Sequence, residues 1–156
     1  MEKEPKMEKI SESRERLLSL ESEGKFVFHG SPDNLTTLLP RQALNENSMT
    51  NEAEKHGDPA VFATPFADVA IFRSLTIFKD GPEGSSRFGT SGKGVKFGAS
   101  KNIIDYARTR RGYVYVFKKD KFDKVVGTEC RSYEEVEPEE VIEVGFFDLP
   151  KNITII

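Results

Sequence analysis

The spacing of hydrophobic positions changes several times along this chain, and each change marks an element. Between Lys9 and Glu23, Ile10, Leu17, Leu18 and Leu20 gather on a loose face among charged residues, with Glu12 one turn ahead of Arg16. This predicts a helix, which Gly24 stops as glycine commonly does just past a last turn. Lys25–His29 is aromatic and β-branched and runs into Gly-Ser-Pro, so it reads as a short strand ending in a turn. Leu35, Leu38 and Leu39, followed by Pro40, make one helical turn or an extended corner, and residues 41–59 form a polar surface loop. Ala60–Thr64 is a second strand. Pro65 then opens a helix over Phe66–Leu75, in which Phe66, Val69, Ala70 and Arg73 share one side and Ile71, Ser74 and Leu75 another.

Residues 79–100 break the pattern, because glycines alternate there with Ser, Lys and single Phe residues. The segment is either a mobile loop or a loose hairpin carrying Val95–Phe97. A short helical segment over Asn102–Arg111 precedes Tyr113–Phe117, the clearest strand in the chain. Lys118–Lys121 is a charged turn, and Phe122–Val126 extends toward another strand. Val141–Phe147 is a strand, and Ile153–Ile156 forms an edge strand. Several strands with few helices, out of strict βαβ alternation, place the fold in the α+β class. The expected core is Val27, Phe28, Val61, Phe62, Tyr115, Val116, Val141, Val144 and Phe146. Residues 1–24 read as a charged helical extension and 25–156 as a single domain.

Composition narrows the classes further. The 156 residues suit one core, and 12 Phe with 4 Tyr supply bulky material despite a 31% charged fraction. No apolar run approaches the roughly 20 residues that span a bilayer, and no apolar leader opens the chain. A non-membrane, cytoplasmic protein is therefore expected. A single cysteine, Cys130, excludes an internal disulfide framework, and two histidines leave little for a metal centre, so none is expected. A net charge of −3 carries no overall basic footprint for nucleic acid.

Familiar catalytic signatures are missing from the sequence. Gly89–Gly94 lacks the Gly-Lys-Ser/Thr ending and the strand-then-helix setting of a phosphate loop, and there is neither an HExxH motif nor a serine nucleophile elbow. Cys130 has no local partner that would activate it and reads as a plain thiol. Arg108, Arg110 and Arg111, beside Tyr106 and Tyr113, are either a phosphate contact or a charged turn before a strand. His56 reads as solvated. Phe28-His29-Gly30-Ser31 invites a chemical reading: the imidazole and the Ser31 hydroxyl can bond a sugar hydroxyl, and a glycine lets a backbone approach a ligand closely. The plainer alternative is a histidine that caps a strand.

Together, Phe28–Ser31 and Val61–Phe72 resemble the ADP-ribosyltransferase superfamily. Poly(ADP-ribose) polymerases and related members carry a strand ending in His-Gly-Ser or His-Gly-Thr, and RNA 2′-phosphotransferases, whose arginines around the first motif have no counterpart here, and rifampin ADP-ribosyltransferase are built on the same sheet. A Tyr-Phe-Ala type strand follows some tens of residues later, then a short helix with an aromatic that stacks on nicotinamide. The resemblance implies a split, mainly antiparallel sheet with short helices, NAD as the substrate and ADP-ribose as the group transferred. It implies that His29 and Gly30, with Ser31, hold the ribose and carboxamide. It also implies that Phe72 and Phe66 wall the nicotinamide slot, with Phe62 and Thr64 in the binding set. A glutamate on a later strand stabilises the oxocarbenium-like transition state. Glu129 is favoured for that role, with Glu134 and Glu135 as alternatives and a solvated acidic face as the plain reading. The Gly-rich segment 79–100 would serve as a lid or acceptor loop. The acceptor is unspecified: protein, nucleic acid, small molecule or water. A non-catalytic nucleotide-binding module of the same fold is the rival, and an interaction domain whose aromatic strands are only core is a third reading.

Overall fold

The structure is a computed structural model that describes residues 11–34, 60–77, 82–91 and 94–156. The expected corner at 35–40, the loop at 41–59 with His56, and parts of the Gly-rich segment lie outside the described residues. The elements run α1 (Glu12–Ser22), β1 (Phe26–Ser31), β2 (Val61–Ala63), α2 (Ala67–Thr76), β3 (Ser86–Ser91), β4 (Gly94–Ala99), α3 (Lys101–Ala107), β5 (Arg111–Lys118), β6 (Cys130–Ser132), β7 (Glu140–Gly145) and β8 (Ile153–Ile155). The class is α+β, with pairings that are antiparallel except between β4 and β8.

A central antiparallel sheet in the order β1-β5-β7 separates two apolar layers. Strand alternation decides which residue enters which layer. Phe28, Val114, Val116, Ile142 and Val144 face the helices and meet Leu17, Leu20, Ala70, Phe72 and Leu75. Val27, Tyr115 and Phe117 face the other way, where Val61, Ala63 and Cys130 of the β2-β6 ribbon and Val136 beyond it cover them. The same alternation corrects the expected core. Val141 is 36% exposed because its neighbours Ile142 and Val144 take the inward positions. Phe62 and Phe146 are only partly buried.

The N-terminal helix docks rather than floats. Leu17 and Leu20 are buried, each worth about 1.5–3 kcal/mol of transfer free energy. Ser11 caps the helix by accepting the Arg14 N–H and donates to Asp148. Arg14 pairs with Asp68 at 3.0 Å, and a Glu21 carboxylate oxygen accepts the Ala67 N–H at 2.8 Å, so α1 satisfies an orphan donor at the start of α2.

Helix α2 lies unusually close to the sheet. A Cβ at Gly30 would overlap the Ala70 carbonyl oxygen and come within 2.8 Å of Ala70 C and 3.0 Å of Ser74 N. One at Gly112 would come within 2.7 Å of Ser74 Cβ. Two glycines on neighbouring strands thus make a trough for a helix that presents small residues.

The described part of the Gly-rich segment pairs as two antiparallel strands. Phe88 faces Phe97 across β3 and β4, and Gly94 takes φ +118° at the start of β4, a conformation that costs glycine little. Strand β8 adds in parallel to β4. The strand expected over 122–126 does not form. Instead, Gly127 at φ +65° closes a tight turn in which Val126 and Glu129 exchange backbone hydrogen bonds at 2.8 and 3.1 Å. No helix among the described residues is long and apolar enough to cross a membrane.

Candidate functional site

The site begins where β1 and β2 part. The two strands touch at one bridge, Phe28 to Thr64, through backbone hydrogen bonds of 2.7 and 2.8 Å. No further pairing joins β1 and β2 among the described residues, and the His29 ring fills the wedge beside the bridge with Nδ1 2.6 Å from the Phe62 carbonyl oxygen. A carbonyl only accepts, so Nδ1 carries the proton, and in the neutral ring Nε2 is the acceptor. Tyr115 packs against the imidazole, ring centroids 6.0 Å apart and planes at 66°. The Tyr115 hydroxyl donates to the Asp33 carbonyl at 2.7 Å, which ties the chain leaving β1 back to the sheet.

A cleft of about 80 Å³ opens at this wedge. Its walls are Phe28, His29 and Gly30 of β1, Phe62, Ala63 and Thr64 of β2 and its bridge, Val69 and Arg73 of α2, Phe88 of β3, and Thr128 with Glu129 before β6. Five residues expected from sequence therefore meet in one hollow: His29, Gly30, Phe62, Thr64 and Glu129. The tight turn at Gly127 brings Glu129 there from about a hundred positions beyond His29. Glu134 and Glu135 instead line a separate shallow groove with Asp120, Asp123 and Arg131. Of the three carboxylates considered, only Glu129 faces the cleft.

Other expectations are corrected. Phe72 is fully buried, its ring 5.0 Å from that of Phe97 and 6.3 Å from that of Phe88, so it presents no face to the cleft. Helical periodicity explains this: Val69 and Arg73, four apart, share the cleft side, and Phe72 is turned toward β3 and β4. Phe66, just ahead of α2, packs on the helix-side core instead of walling a slot. Ser31 is buried outside the cleft lining, and its hydroxyl accepts the Asp33 N–H at 3.1 Å in a local turn. Gly30 does reach the cleft, but its missing side chain is required by the Ala70 carbonyl rather than by a ligand. Thr64 accepts the Phe66 N–H at 3.1 Å and so helps start α2 while it lines the cleft.

Phe88 and Arg73 are among the wall residues to which the sequence assigns no role. Phe88 sits in the Gly-rich segment, where an isolated aromatic was the available signal. Arg73 was placed on the Val69 side of α2, and that shared side was the signal for it. The Arg73 guanidinium lies 5.8 Å from the Phe88 ring centroid. Among the described lining residues, Arg73 and Glu129 are the formally charged side chains, one on the helical wall and one on the β6 side.

Neither remaining candidate for chemistry joins the site. Arg108 lies 4.2 Å above the Phe146 ring, Arg110 donates to the Tyr106 hydroxyl at 2.8 Å, and Arg111 pairs with Glu143 at 2.6 Å. That basic cluster is spread over partners within the domain. Cys130 is buried on the face of β6 opposite Arg131, and burial pushes its thiol up to about 11, with Asp123 and Glu129 adding to the shift. It is therefore a protonated packing residue at neutral pH.

The chain matches no protein-family model, and no curated protein or solved structure matches it.

Proposed function

We propose that this protein is an NAD-dependent ADP-ribosyltransferase of the split antiparallel-sheet type. The observation that carries the reading is the meeting of His29, Gly30, Phe62, Thr64 and Glu129 in one cleft. These are residues the resemblance assigns to a dinucleotide, drawn from segments far apart in the chain.

In this reading the cleft takes the nicotinamide–ribose end of NAD. Its volume of about 80 Å³ is below the roughly 300 Å³ at which small-molecule pockets begin. It therefore holds one end of the dinucleotide, and the remainder lies along the open mouth. Phe62 and Phe88, both partly buried, supply the aromatic surface that Phe72 does not. His29, held by the Phe62 carbonyl, fixes the floor. The Glu129 carboxylate faces the sugar, where positive charge develops as the C1′–nitrogen bond breaks. The bonding pair leaves with nicotinamide, neutralising its pyridinium. The acceptor's nucleophilic atom then bonds to C1′ and loses its proton to Glu129 or to solvent. The acceptor is a protein, nucleic acid, small molecule or water.

The test is incubation of the full chain with NAD labelled in both halves. Nicotinamide release together with label on an acceptor, lost in Glu129→Gln with an unchanged melting profile, is the expected result. The buried Phe72 ring favours one rival, a module that binds the nucleotide without cleaving it. Saturable NAD binding with no nicotinamide release would select that rival, and absence of binding would reject both.

A further inference from the structure

The geometry points to the shallow groove beside the cleft as a binding site for a nucleoside diphosphate, with Arg131 holding the diphosphate. This deepens the NAD reading, and rests on it only in identifying that ligand with the adenosine diphosphate half of the dinucleotide. The groove encloses about 420 Å³, within the range of roughly 300–1,000 Å³ that small-molecule sites occupy. The cleft, at about 80 Å³, has room for one end of such a dinucleotide. The two hollows adjoin. Arg131 lines the groove and stands opposite Phe62, a cleft wall, in the β2-β6 register. Its guanidinium lies 5.1 Å from the Phe62 ring centroid.

Arg131 is exposed, and its backbone N–H donates to Asp123 at 2.8 Å. Its guanidinium makes no hydrogen bond or ion pair among the described residues, although Glu134 and Glu135 line the same groove. Stacking on a ring holds the planar fork in place while its donors can meet two oxygens of a phosphate. The rest of the groove suits a nucleoside. Tyr133, 49% exposed, supplies aromatic surface for a base. Glu134 and Glu135 can accept from sugar hydroxyls and from an exocyclic amino group. These carboxylates, with Asp120 and Asp123, repel a phosphate, and Lys121 offsets part of that repulsion. The diphosphate therefore settles at the Arg131 border, next to the cleft. A purely structural role is the competing account: the Arg131–Phe62 stack ties β6 to β2. That role stabilises the ribbon but confers no affinity for a nucleotide.

The experiment titrates the full chain, isotope-labelled, with ADP and with adenosine at constant ionic strength, and follows the amide resonances of Phe62, Arg131, Tyr133 and Glu134. Saturable shifts are expected with ADP, and adenosine, which has no phosphate, should bind about tenfold more weakly or worse. In Arg131→Gln, ADP affinity should fall about tenfold, to near that of adenosine, while adenosine binding stays unchanged. In Tyr133→Ala, both ligands should lose affinity together. Arg131 and Tyr133 are exposed, so each variant should keep the native melting profile; if one does not fold, the other carries the test. Absence of saturable ADP shifts in the native protein overturns the inference, as does native-like ADP affinity in either folded variant. Nicotinamide release from NAD, measured on the same samples, reports the activity separately. ADP binding that depends on Arg131, without nicotinamide release, supports the groove site and overturns the transferase reading alone. Nicotinamide release without ADP binding overturns the groove site and leaves the transferase reading standing.

Discussion

Replacing Gly30 with alanine tests whether this glycine serves the fold or the ligand. The added methyl would overlap the Ala70 carbonyl oxygen and sit 2.8 Å from Ala70 C and 3.0 Å from Ser74 N, where ordinary contacts begin at 3.4 Å. These obstacles are backbone atoms of α2, so no rotamer change can relieve them, and the helix must lift from the sheet. Overpacking of this kind costs about 1–3 kcal/mol and occasionally more. The upper end applies because Val69, Phe72 and Leu75, all buried, ride on the displaced helix. Alanine restricts the unfolded chain and returns about 0.4–1 kcal/mol. The net expectation is a loss of about 2–3 kcal/mol, which lowers the melting temperature by about 4–12 °C in a chain of this size. Denaturant unfolding should show a lower midpoint with an unchanged slope. Gly89→Ala, with open space around its added methyl, is the control and should stay within about 0.5 kcal/mol of the native protein. If Gly30→Ala matches that control, the close helix–sheet approach is wrong and a ligand-driven need for glycine regains its force.

Cys130, with its thiol raised to about 11, should resist a thiol-reactive dye at pH 8 in the folded protein and react at once in denaturant; rapid labelling of the folded form would contradict its burial. Glu21 and Asp68 are both raised above their ordinary values of 4.5 and 3.8, chiefly by burial. Their folded forms take up protons before their unfolded forms, so these two groups favour folding more as pH falls from 7 toward 4.5. Glu21→Gln should remove part of that trend, so the native protein gains on the variant as pH falls; a gap that is flat or widens the other way in parallel denaturation curves refutes it. Gly127→Ala forces a side chain onto φ +65° and should cost about 1–2 kcal/mol; because the turn places Glu129, nicotinamide release should fall with it, and full activity at normal stability would detach Glu129 from the reaction.

Much of the secondary structure was legible because its causes are local. Alternation in Tyr113–Phe117, the helical spacing around Leu17 and Leu20, and the stop at Gly24 each depend on residues a few positions apart. The halves of the cleft marked by His29 and by Phe62 with Thr64 could also be found, since each lies in a short motif. What only the tertiary structure decided is which side of each element faces which neighbour. On α2 a step of one residue turns a side chain by about 100°. That step buries Phe72 against Phe97 and gives the cleft Arg73 instead. On β7 a step of one residue reverses the face, which is why Val141 is exposed while Ile142 is buried. The need for Gly30 was visible as a letter, but its reason was not, because the Ala70 carbonyl that excludes a side chain comes from a helix forty residues on. Local patterns specify periodicity, whereas the choice of face depends on packing between segments that sequence separation does not reveal.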